Sequence, residues 1–128
     1  MDNQKRSILL IDDDPFLVDM YTLKFQEGGF EVKSARDGQT ALDILKQDSL
    51  PDLILLDVVM PHLDGFEILK ILKADERLKS IPVILLTNVG QKDDVEKGIT
   101  LGADDYIVKA HFTPSEVVER VNKLLKNK

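Results

Sequence analysis

The chain has 128 residues, 43% hydrophobic and 31% charged, so it fits one ordinary globular domain rather than a disordered segment. It carries no cysteine, which removes disulfide frameworks and cysteine-based zinc sites. Its formal net charge of −6 argues against direct nucleic-acid binding, because phosphate neutralisation needs basic residues; no apolar run approaches the ~20 residues of a membrane span, and the opening "MDNQKRSILLIDDD" has too short an apolar run for a signal peptide. No membrane contact and a cytoplasmic location are expected.

In chain order, "SILLID" (7–12) reads as a strand. Asp14 and Pro15 read as the N-cap and first position of a helix to about Glu27, with Leu17, Met20, Tyr21 and Phe25 inward and Gly28-Gly29 ending it. "FEVKSA" (30–35) alternates and predicts an edge strand with one wetter face. A helix is predicted from about Gly38 to Gln47 on Ala41, Leu42 and Leu45. "DLILLD" (52–57) is the third strand, and Asp64-Gly65 opens a helix with Phe66, Leu69 and Leu72 on one face. "IPVILLT" (81–87) is the fourth strand. "KDDVEKGI" predicts a weak helix, with Gly98 inside it and few apolar anchors. "DDYIVK" (104–109) is the fifth strand. Thr113 and Glu116 match a capping box for a last helix on Val117, Val121, Leu124 and Leu125. Lys123, Lys126 and Lys128 read as helix-dipole partners in a solvated tail.

Five successive βα units predict a doubly wound α/β fold with a five-stranded parallel sheet, one domain over residues 1–128 with its core at about 7–125. Such sheets bind ligands beyond the carboxyl ends of their strands. Strand one closes on Asp12-Asp13, strand three on Asp57, strand four on Thr87 and strand five on Lys109. Singly, each has an ordinary reading: a cap, a strand threonine, a solvated lysine. Jointly, at equivalent positions, they point to one site. Three carboxylates in one pocket repel each other, and a divalent cation relieves that repulsion. Oxygen-only donors suit Mg²⁺. A carboxylate beside a metal can attack phosphorus, with an ammonium and a hydroxyl holding the other phosphoryl oxygens.

Over residues 7–125 the sequence resembles the receiver domains of two-component response regulators, in the motifs "ILLIDDDP", "PDLILLDVVMPHLDG", "IPVILLT" and "GADDYIVK". The resemblance implies the flavodoxin-like strand order 2-1-3-4-5. It also implies a signalling domain, not an enzyme, that assists its own phosphorylation and dephosphorylation. Asp57 would be the phosphoacceptor, taking a phosphoryl group from a phosphohistidine donor. Asp12, Asp13, Asp57 and the Val59 backbone carbonyl would hold Mg²⁺. Thr87 and Lys109 would contact the phosphoryl group, Tyr106 would swing in behind Thr87, and Pro61 and Gly65 would shape the loop after Asp57. The implied partners are a sensor histidine kinase or histidine phosphotransfer protein, a downstream protein or an output domain, and a phosphorylation-dependent second copy. The output surface is expected at 91–100, strand five and the last helix, because the weakest helix shifts at low cost.

Two positions depart from the family pattern. "KAHFTP" puts Ala110 where the family usually has proline. A cis bond without proline costs roughly 3–4 kcal/mol, so Lys109–Ala110 is expected to be trans. Asn88 replaces a usually small residue, which bears on the Thr87 and Tyr106 movement. Val59 and Val89 give the pocket an apolar rim, expected to slow attack by water. Other readings are weaker. Asp12-x-Asp14 resembles the opening of haloacid-dehalogenase-type phosphatases, but Asp104-Asp105 precedes Lys109 where that family has the acid pair after its lysine. A pseudo-receiver would lack a key residue, and all are present. "LILLD" as a Walker B strand has no Gly-rich partner loop. "DDDPFLVDMY" as an EF-hand has no glycine at the turn position. His62 and His111 read as solvated loop residues.

Overall fold

The protein is described from a computed structural model over residues 5–47 and 49–126. The elements run β1 Ser7–Ile11, α1 Pro15–Glu27, β2 Glu31–Ala35, α2 Gly38–Leu45, β3 Leu53–Leu56, α3 Gly65–Ala74, β4 Val83–Thr87, α4 Lys92–Thr100, β5 Asp105–Val108, a 3-10 turn Lys109–His111 and α5 Pro114–Lys126. The five strands are parallel in the order β2-β1-β3-β4-β5, as expected, with β2 at an edge.

Strand periodicity divides the core in two. Ile8, Leu10, Leu53, Leu55, Ile84 and Leu86 point to the face covered by α1 and α5, where they meet Phe25, Val117 and Val121. Leu9, Ile11, Ile54, Leu56, Val83 and Leu85 point the other way, onto Ala41, Leu45, Ile68 and Leu72 of α2 and α3. Both faces of β1, β3 and β4 are therefore dry, which explains their near-continuous apolar runs.

The helices start where capping chemistry places them. The Asp14 carboxylate accepts the Phe16 N–H at 2.9 Å and the Leu17 N–H at 3.4 Å. The Thr113–Glu116 capping box forms in both directions, at 2.8 and 3.1 Å. A second box, between Asp64 and Glu67, opens α3. Three details differ from the sequence expectation. The buried stripe of α1 is Val18, Tyr21 and Phe25, rotated so that Met20 faces solvent and Leu17 is half-buried. Helix α2 stops at Leu45, where the Arg77 guanidinium takes the Leu45 and Gln47 carbonyls. Strand β5 ends at Val108, and Lys109 opens the 3-10 turn. Lys128 lies outside the described residues.

Helix α4 forms over nine residues, but Gly98 is its only buried one. A Cβ there would stand 2.6 Å from Leu85 Cδ1 and 3.1 Å from the Tyr106 ring. Gly98 thus weakens the helix by propensity while allowing it to lie close to the sheet. Among the described residues no helix is long and apolar enough to cross a membrane.

Candidate functional site

Register builds the site. Ile11 pairs with Leu56, so the next residues, Asp12 and Asp57, leave the sheet side by side. Leu56 pairs with Leu85, and Thr87 with Val108, so Thr87 and then Lys109 follow as steps of a staircase at the same rim. Backbone bonds extend the pairing past the strands: the Asp12 N–H donates to the Ala35 carbonyl at 3.1 Å, and the Asp57 N–H to the Ile11 carbonyl at 2.9 Å.

Among the described residues, the buried polar side chains are Asp12 (1% exposed), Asp57 (7%) and Thr87 (1%). A buried charge is costly unless paired, and Lys109 supplies the pairing. Its ammonium lies 2.7 Å from Asp12 Oδ2 and 3.7 Å from Asp57 Oδ2. The Asp14 N–H donates to Asp12 Oδ1 at 3.0 Å, a contact the sequence reading did not foresee. The cleft has a volume of about 340 Å³; Asp13 and Leu17 line it from α1's side, Val59 and Asn88 from the opposite loops.

Burial pushes the Asp57 carboxyl above the ordinary aspartate value; the Lys109 ammonium pulls it down and the Asp12 charge pushes it up, while the Thr87 hydroxyl and the Val59 N–H pull it down. The folded state therefore holds the Asp57 proton to higher pH than the unfolded chain does. Stability contributed by this group is highest below the ordinary aspartate pKa and falls as pH rises towards the raised folded value. Asp57→Asn is expected to remove that fall. Without divalent ions, urea-unfolding midpoints of the two proteins should converge at low pH and diverge above it, the variant being the more stable; parallel curves would contradict this.

The sequence-nominated residues Asp12, Asp13, Asp57, Val59, Thr87 and Lys109 are thus brought together in one cleft. Tyr106 is set behind it. Its hydroxyl donates to the Val89 carbonyl at 2.6 Å, and burial first, then Asp94 and Asp57, push its pKa up to about 12, so it remains a neutral donor. Asn88 is exposed at the rim and Val59 is 60% exposed, whereas Val58 is buried in the core. No cis peptide bond occurs among the described residues, so Lys109–Ala110 is trans, as expected. The turn is closed by the Phe112 N–H on the Lys109 carbonyl at 3.3 Å. His62 and His111 are both exposed and lie outside the cleft lining; His62 adopts φ +70°.

Asp12, Asp13 and Asp57 each offer an oxygen, all within 4.8 Å of one another. Two are buried and Asp13 is exposed, so an ion here would meet three oxygen ligands and open water on one side. That donor set fits a hard, partly hydrated divalent cation such as Mg²⁺.

Comparison with known proteins places these features in context. The family profile described as "Response regulator receiver domain" matches residues 8–122. The chain is 41% identical over 119 residues to the DNA-binding dual master transcriptional regulator RpaA of Synechocystis, covering 93% of this chain and 48% of that protein. It is 37% identical over 126 residues to the DNA-binding response regulator MtrA of Mycolicibacterium smegmatis, covering 98% and 53%. The solved receiver domain of Francisella response regulator 1452 superposes with a TM-score of 0.86 at 35% identity, covering 96% and 98%. The chain spans about half the length of the curated relatives it matches. These relatives overturn the expectation of no direct nucleic-acid binding, since both are DNA-binding regulators. The acidic charge describes only the matched stretch, and so carries no information about the other half of such proteins.

Proposed function

The chain belongs to the response regulator receiver domain family, and from that premise we propose that it accepts a phosphoryl group on Asp57 and switches a protein surface in response. The observation that carries this is the buried trio Asp12, Asp57 and Thr87, with the Lys109 ammonium 2.7 and 3.7 Å from the two carboxylates. Evolution of a core does not need such a cluster; burying charge costs stability. On this reading residues 1–128 act as one receiver unit with its core at about 7–125.

An Asp57 oxygen attacks the phosphorus of a phosphohistidine. The new O–P bond forms as the N–P bond breaks, and the leaving imidazole nitrogen keeps the electron pair. Asp12, Asp13, Asp57 and the Val59 carbonyl would hold Mg²⁺, whose charge offsets that of the phosphoryl oxygens. The Lys109 ammonium and the Thr87 hydroxyl take phosphoryl oxygens from the sheet side, as preorganised donors in a largely dry pocket. The apolar Val59 and Val89 limit approach of water from the rim, which slows hydrolysis of the acyl phosphate.

The phosphoryl group adds charge and acceptor oxygens beside Thr87, the residue that ends β4 and leads to α4. Helix α4 rests on the sheet through Gly98 and has little apolar surface to fix it, so the face formed by 91–100, β5 and α5 is the output surface. In a protein built like the DNA-binding relatives, this face would control the DNA-binding part. The test is incubation with Mg²⁺ and a small phosphodonor, read by intact mass. The wild type should gain one phosphoryl group and Asp57→Asn none. A wild type that gains nothing removes the reading.

A further inference from the structure

We propose that Lys109 is a resident cation of the acidic cluster that competes with a divalent ion for Asp12, and that divalent binding moves the ammonium onto Asp57. The inference rests on the reading above, that this cluster takes Mg²⁺.

Both Asp12 oxygens are engaged. Oδ1 accepts the Asp14 N–H at 3.0 Å, and Oδ2 accepts the Lys109 ammonium at 2.7 Å. The 3.7 Å separation from Asp57 Oδ2 is beyond hydrogen-bond length, so the ammonium is committed to Asp12 and only near Asp57. An ion that shares Asp12, Asp13 and Asp57 must therefore approach the same carboxylate from the solvent side while the ammonium holds it from within. Like charges that close repel strongly in a buried pocket.

The Lys109 side chain is only 8% exposed, so a retreat to water would withdraw it from its packed position. The anion already beside it is Asp57. Charge count supports the exchange: three carboxylates and one ammonium leave −2, which one divalent ion neutralises without expelling the lysine. The consequence is an ordered site. Divalent binding frees the ammonium from Asp12 and directs it to the carboxylate that receives the phosphoryl group. Lys109 also opens the 3-10 turn leading to Phe112, over whose ring Arg120 lies at 5.2 Å. The turn and the Phe112–Arg120 contact thus link the Lys109 backbone to α5.

The experiment uses the whole chain as wild type, Lys109→Met and Lys109→Arg, titrated with Mg²⁺ alone. Backbone amide spectra give the dissociation constant, and the Lys109 ε-carbon resonance, assigned by its loss in Lys109→Arg, reports the ammonium. Lys109→Met should bind Mg²⁺ at least about tenfold more tightly, the lower end of what one neighbouring charge does to a bound proton. Lys109→Arg should stay near the wild type. In the wild type the ε-carbon resonance should follow the same saturation curve as the Asp12 and Asp13 amides. Mg²⁺ should also raise the melting midpoint of Lys109→Met more than that of the wild type. Unchanged or weaker affinity in Lys109→Met overturns the exchange, as does a wild-type ε-carbon that stays still while Mg²⁺ saturates; the latter holds even if the methionine variant fails to fold. If neither wild type nor Lys109→Met binds Mg²⁺, the metal reading itself falls, and the exchange with it.

Discussion

Gly65→Ala is expected to destabilise the protein by about 3 kcal/mol or more, at the upper end of overpacking costs, and to abolish phosphoryl uptake by Asp57. A Cβ at this position would meet the Asp57 carbonyl oxygen and lie 2.7 Å from Val58 Cα. Both are backbone atoms of the strand end that presents the acceptor, so no side-chain rotation relieves the clash. The Gly65 N–H also donates to the Val58 carbonyl at 2.8 Å, which holds the start of α3 against that backbone. The neighbouring case of Gly98 sets the scale. There the nearest atom is Leu85 Cδ1, the end of a flexible side chain, and alanine should cost only about 1 kcal/mol. Urea unfolding and intact mass after phosphodonor treatment measure both effects. A Gly65→Ala protein with a wild-type midpoint would show that the loop yields, contrary to this account.

Lys109→Met should cost about 3–5 kcal/mol in divalent-free buffer, the usual loss when one partner of a buried ion pair is removed. The ammonium sits between two buried carboxylates, and methionine fills its space without its charge. The ion pairs Lys24–Glu27, Lys46–Asp43, Lys79–Glu76 and Lys92–Glu96 are largely exposed, and each contributes roughly 0–1 kcal/mol. Position, not the number of ion pairs, decides the outcome. Adding Asp12→Asn to Lys109→Met should recover part of the loss, because one uncompensated charge leaves with its partner. A double-mutant cycle in urea measures this coupling. A loss below about 1 kcal/mol for Lys109→Met would mean that water already screens the cluster.

Particular residues show why the sequence was legible where it was. Asp12, Asp57, Thr87 and Lys109 end separate apolar runs, and in a parallel sheet every strand ends at the same rim. Their convergence therefore follows from topology once the βα alternation is recognised. Cap residues were legible for a similar reason, since Asp14 and the Thr113–Glu116 pair act over three residues of chain. Met20 was misread because Leu17, Met20, Tyr21 and Phe25 have helical spacing but not the rotation that α5 and the sheet impose. Gly98 read as a weakness, and only the proximity of Leu85 and Tyr106 gives it a packing role. The same glycine inside a helix pattern was the signal available. Net charge is silent on nucleic acid here, because the DNA-binding relatives are about twice as long as the stretch that the chain matches.

The five βα units, the parallel sheet and the set of chemical groups at its rim are written in the sequence, because they depend on periodicity, local capping and the residue at each strand end. How those groups share charge depends on the folded geometry. Register brings Asp12 level with Asp57, the depth of the cleft dries both, and the reach of Lys109 commits its ammonium to Asp12 rather than to the acceptor. Those are distances between atoms far apart in the chain, and electrostatic energy in a dry pocket changes steeply over such distances.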